Sequence, residues 1–128
     1  MPNPVVHFEI VGRDGDRLMQ FYRDVFDWQI DVNEEMHYGM VQPQGSGIGG
    51  GVSGVEGTEA ESGPRVSVYI EVPDVTAALA EVQQHGGRTL LDVSDVPGGV
   101  TIAMFMDPEG NTIGLVQAGT MGGASRAG

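Results

Sequence analysis

Two short alternating stretches carry the side chains that could do chemistry. In Val5-Val6-His7-Phe8-Glu9-Ile10, alternation puts His7 and Glu9 on one side and Val6, Phe8 and Ile10 on the other. In Val66-Ser67-Val68-Tyr69-Ile70-Glu71-Val72, Ser67, Tyr69 and Glu71 share one side, opposite four aliphatic residues. An imidazole, two carboxylates, a phenol and a hydroxyl can bind a polar or cationic small molecule. They can also transfer protons if burial raises a carboxylate pKa toward neutrality. The plain alternative is that they hydrogen-bond one another and water.

Composition removes several other chemistries. The 128 residues include no Cys, which excludes disulfides, a thiolate nucleophile and Cys-based zinc sites. All six basic residues are Arg, so no lysine can form a Schiff base or serve a phosphate-binding loop. A net charge of -12 repels nucleic acid. The same acidity could attract a cationic ligand or simply keep the chain soluble. No apolar run reaches the ~18 residues a membrane span needs. Met1-Pro2-Asn3-Pro4 lacks the regions of a signal peptide, so a cytoplasmic location is expected.

The elements that must hold these side chains come in two copies. Val5 to Ile10 reads as a strand. Asp14 or Asp16 can cap a helix through Leu18, Phe21, Tyr22, Val25 and Phe26, ended by Asp27-Trp28. Strands fit Gln29 to Val32, Tyr38 to Val41 and Ile48 to Val52. The second copy has a strand ending at Val72 and an Asp74-capped helix with Ala78, Leu79 and Val82 inward, stopped at Gly86-Gly87. Strands at Thr89 to Val93, Val100 to Met106 and Ile113 to Gln117 follow, with Asp107-Pro108-Glu109-Gly110-Asn111 turning into the last. The expected organisation is α+β and one domain over 1–128. It comprises βαβββ units at 4–53 and 65–118, a linker at 53–64 and a flexible tail at 119–128, with curved mixed sheets enclosing a cup.

Two βαβββ copies, the segment Phe21-Tyr22-Arg23-Asp24-Val25-Phe26-Asp27-Trp28 and the turn before Thr112-Ile113 resemble the vicinal oxygen chelate superfamily. It includes glyoxalase I, extradiol dioxygenases and bleomycin-resistance proteins. The resemblance covers residues 4 to 118. Its metalloenzymes draw ligands from the first strand, the end of the first half, the fifth strand and the last strand. Those positions match His7, Gly50 or Gly51, Ser67 and Gly114 in this chain. One competent ligand falls short of the about three that a catalytic divalent ion needs. The resemblance therefore implies the cup without the usual metal or any other cofactor. An improvised metal set of His7, Glu9 and Glu71 stays open. If His7 faces inward, so do Glu9, Ser67, Tyr69 and Glu71, and these five are the expected ligand-binding residues.

Three functional classes follow. The first is a metal-independent binder of small molecules, acidic and sequestering in the manner of the bleomycin-resistance type. The second is a lyase, isomerase or oxygenase with an altered site. The third is an interaction module whose cup serves dimerisation. A two-fold homodimer is expected, because a cup of this kind leaves sheet edges. Gly45-Ser46-Gly47-Ile48-Gly49-Gly50 matches G-x-G-x-x-G, but a strand follows where dinucleotide binding needs a helix. Trp28 reads as a seal between helix and sheet. Met36, Met40, Met104 and Met106 read as core filling.

Overall fold

The computed structural model describes residues 2–54 and 64–120. The linker expected over 53–64 and the tail expected over 119–128 fall mostly on 55–63 and 121–128, outside the described residues. The elements are β1 (Val5–Gly12), α1 (Gly15–Phe26), β2 (Ile30–Asn33), β3 (Tyr38–Val41), β4 (Gly49–Gly54), β5 (Arg65–Val72), α2 (Val75–Gln84), β6 (Arg88–Val96), β7 (Val100–Met106) and β8 (Thr112–Gln117). This is α+β, a βαβββ plan written twice. Contacts divide the chain into one unit of His7–Ser67 and another of Val68–Gly128 joined by Met1–Val6.

In the first unit, Asp14 accepts the backbone N–H of Arg17 at 3.1 Å and starts α1, with Asp16 in the first turn. The helix stops where Asp27 turns left-handed at φ 59° and returns its N–H to the Arg23 carbonyl. The strand order is β2-β3-β4-β1. β2 and β4 run antiparallel to β3, while β1 runs parallel to β4 with Glu9 opposite Gly51. Met19, Ile30, Val41 and Val52 form the core, with Phe8, Leu18, Tyr22 and Trp28 packed against it. Trp28 stacks on Tyr22 at 4.7 Å and tilts against Phe8 at 5.4 Å, sealing the helix to the sheet as its position suggests. The covered face of the helix is narrower than its apolar stripe. Leu18, Met19 and Tyr22 face the core, whereas Phe21, Val25 and Phe26 are more than half exposed. Six apolar positions make a stripe wider than this four-strand sheet can cover.

The second unit repeats the device. Asp74 accepts the N–H of Ala77 at 3.2 Å and starts α2. His85 caps its end, and Gly86 follows at φ 96°. The strand order is β5-β8-β7-β6, with β8 parallel to β5 and antiparallel to β7. Val72, Val75, Leu79, Ala103 and Leu115 form its core. The backbone N–H of Glu71 donates to the Pro4 carbonyl at 2.9 Å, which ties the chain start into this unit. Asp107 closes the turn before β8 by accepting from the N–H groups of Glu109 and Asn111, each at 2.9 Å. Met36 and Met40 are exposed rather than core-filling, because their sites lie at a turn and on the open face of β3.

Candidate functional site

The alternation of β1 does what its residues require, with a result that reverses the usual pattern. The polar pair His7 and Glu9 is buried, while Phe8 and Ile10 on the helix side are only half-buried. A buried carboxylate and imidazole need partners. One comes from β3. The Tyr38 hydroxyl donates to Glu9 Oε2 at 3.0 Å and lies 3.0 Å from His7 Nε2. That hydroxyl has one hydrogen, which it donates to Glu9. In the tautomer that matches this arrangement, His7 Nε2 carries a hydrogen and donates to the Tyr38 oxygen. Burial pushes the His7 pKa down from 6.5 to about 4, so the imidazole is neutral at pH 7. The result is an ordered relay from imidazole to phenol to carboxylate. Arg65 Nη2 completes it as an ion-pair partner 3.7 Å from Glu9 Oε1.

Gly51 makes this reach possible. It lies on β4 between β3 and β1, opposite Met40 on one side and Glu9 on the other. A Cβ at Gly51 would run into the Tyr38 ring and hydroxyl, so the phenol occupies the space a side chain would need. β5 adds two more donors to the unit. Arg65 and Ser67 share a strand face, and the Arg65–Glu9 pair shows which way that face points. The Ser67 hydroxyl and Arg65 Nε are buried, and neither has a hydrogen-bond partner among the described residues.

Tyr69 and Glu71 are buried in the second unit. Tyr69 lies opposite Gly114 of β8, and its ring fills the space a Cβ at Gly114 would take. All five residues expected at a site are thus buried polar groups. His7 and Glu9 are brought together through Tyr38, Ser67 belongs to the same unit, and Tyr69 and Glu71 sit in the other. Tyr38 and Arg65 are the site residues that sequence reasoning missed. Arg65 had a usable signal, since alternation places it on the face of Ser67.

The residues do not fit the metal that the resembling enzymes use. At the alternatives Gly50 and Gly51, an added Cβ would strike the rings of Phe8 and Tyr38 respectively, and at Gly114 it would strike Tyr69. At these glycine positions aromatic rings take the space a ligand side chain would need. Among the described residues, no group of three or more His, Asp or Glu could hold a metal ion. A groove of about 680 Å³ in the first unit runs along Ile10, Leu18, Phe21 and Val66. Arg65, the ion-pair partner of Glu9, also lines it, whereas His7, Glu9 and Tyr38 do not.

A twice-written βαβββ plan with a buried polar strand face defines a class, and comparison places the chain within it. Residues 5–115 match the Glyoxalase/Bleomycin resistance protein/Dioxygenase superfamily, and the chain belongs to that family. A "Glyoxylase-like domain-containing protein" of Didymella fabae is 30% identical over 81% of this chain and 85% of its own length. "Putative glyoxylase CFP32" of Mycobacterium tuberculosis is 28% identical over 88% of this chain, which spans only 44% of that protein. A Streptomyces coelicolor methylmalonyl-CoA epimerase in complex with 2-nitronate-propionyl-CoA superposes with a TM-score of 0.65. It is 21% identical, with 91% of this chain and 95% of that one covered. That likeness is one of fold.

Proposed function

We propose that this chain binds a small molecule through the buried polar face of its first unit, without the metal used by enzymes of the family. The observation that carries the reading is the Tyr38 hydroxyl held between His7 and Glu9 over Gly51. At Gly51, one of the two alternatives for a family ligand position, a phenol is seated instead, and it can orient a ligand by hydrogen bonding. Tyr69 and Glu71 are proposed as ligand-facing groups of the second unit. The bound ligand of the epimerase with the same fold lends the small-molecule part support. Residues 1–128 are taken to act as one domain in a cytoplasmic homodimer. Among the described residues no helix is long and apolar enough to cross a membrane. The exposed Phe21, Val25 and Phe26 offer a second copy an apolar face to cover.

Thermal-shift screening followed by calorimetry tests the reading. Tyr38→Phe and Glu9→Gln should each weaken the best ligand about tenfold while leaving the protein folded. Elemental analysis of protein purified without chelator should find no stoichiometric metal. About one ion per chain, lost on His7→Ala, would overturn the reading in favour of a metalloenzyme. A second reading, acid/base catalysis, is favoured by the relay, because a neutral imidazole and a carboxylate share one phenol. Turnover lost in Tyr38→Phe with binding retained would select it.

A further inference from the structure

We propose that the Ser67 hydroxyl and the Arg65 Nε–H together bind an uncharged oxygen acceptor on the ligand, a carbonyl of ketone, ester or amide type. This rests on the small-molecule reading above and sharpens it. Both groups are donors, and the Arg65 Nε–H can do nothing but donate. Both atoms are buried with no acceptor among the described residues, and Ser67 is only 2% exposed. A buried donor without an acceptor is costly, so such a pair in a polar face points to an acceptor that arrives from outside the chain. The two residues are neighbours on one face of β5, the face from which Arg65 reaches Glu9.

Charge selects the kind of acceptor. Glu9 is already matched by Arg65 and accepts the Tyr38 hydroxyl hydrogen bond, and His7 is neutral at pH 7. A carboxylate ligand would add an unmatched charge to this buried face. A cation would have to compete with Arg65 for Glu9. A carbonyl oxygen does neither. The net charge of the whole chain would suggest a cation; the local arrangement of the first unit suggests an uncharged group.

The test uses three probes of one skeleton: isobutyramide, isobutyrate and isobutylammonium. Each is titrated into the full chain while the backbone amides of residues 65–67 are followed by NMR. Isobutyramide should bind at least about fivefold tighter than either ion, and Ser67→Ala should weaken it about tenfold. Arg65→Lys keeps the charge beside Glu9 but lacks the Nε donor, and should weaken the amide while leaving isobutyrate unchanged. In the free protein Ser67→Ala should melt no lower than the parent, because no protein hydrogen bond is lost. The carbonyl assignment is overturned if isobutylammonium binds tightest, if no probe moves these amides, or if both variants bind the amide like the parent. A marked fall in melting temperature on Ser67→Ala also overturns it, by showing that the hydroxyl serves a structural bond or a fixed water. If an ion is preferred while Tyr38→Phe still weakens it, only this assignment fails. A stoichiometric metal with no small-molecule binding removes the functional reading as well.

Discussion

The two copies solve the same packing problem by different routes. On β4, Gly51 faces Glu9 of β1; on β8, Gly114 faces Tyr69 of β5. Both glycines sit under a tyrosine ring. In the second unit that ring comes from the facing residue itself. In the first unit the facing residue is a carboxylate too short to cover the glycine, so the ring comes from Tyr38 on β3. The place corresponding to Tyr38 in the second unit is Ile102, since Met40 faces Gly51 as Met104 faces Gly114. The buried carboxylate has moved as well, from Glu9 opposite Gly51 to Glu71 opposite Val116. Filling the side-chain-free position is a demand of the fold, met in both copies. The position matching Tyr38 in the second copy is Ile102, so a phenol reaching an imidazole and a carboxylate from β3 is a feature of the first copy.

Substitution at the glycines puts the strongest pressure on this comparison. Gly51→Val should destabilise by about 3 kcal/mol through overpacking, read as a lowered denaturant midpoint. The cost should largely vanish in a Tyr38→Ala background, giving a coupling above about 1 kcal/mol. Gly114→Val should behave alike with Tyr69→Ala. Equal costs in both backgrounds would show that the rings do not own the space.

The next effect separates the copies by pH. The His7 pKa falls from 6.5 to about 4 on folding. The unfolded chain therefore binds a proton below pH 6.5 that the folded chain refuses until about pH 4. The stability is fully present above 6.5 and is lost as pH drops through that window, by up to about 3 kcal/mol. Denaturant titrations at pH 7 and 4.5 should show a smaller loss for His7→Gln than for the parent.

A smaller effect should follow Tyr38→Phe. It removes one hydroxyl serving two buried groups and should cost about 2 kcal/mol. Ile102→Val, its counterpart, should cost about 1 kcal/mol, the price of one methylene. The smallest contrast should be none: Asp14→Ala and Asp74→Ala remove matched caps, and each should cost about 1 kcal/mol by thermal melting.

Much of the fold is legible because it is local. Asp14 and Asp74 cap where a helix must begin, and strand alternation in β1 and β5 sorts polar from apolar sides without tertiary information. The assignment of His7, Glu9, Ser67, Tyr69 and Glu71 to polar strand faces came from parity alone, and burial of all five is what a polar face turned inward produces. Tyr38 was not legible. Its partners lie 29 and 31 residues away, and the contact exists only when β3, β4 and β1 lie in the observed register. How much of the α1 apolar stripe is covered is not legible, because spacing counts positions but does not measure the width of the sheet beneath them. The linker and tail readings concern residues outside those described.

One feature bears on how such a chain could be divided. The strand beginnings are exchanged between the copies: Met1–Val6 group with the later half, and Arg65–Ser67 with the earlier. A gene cut between the repeats would leave the amino-terminal fragment without the arginine facing Glu9. The carboxy-terminal fragment would lose the Pro4 carbonyl that receives the Glu71 N–H. Each half keeps a few residues that its sibling needs, so fragments should regain their order by complementation rather than alone.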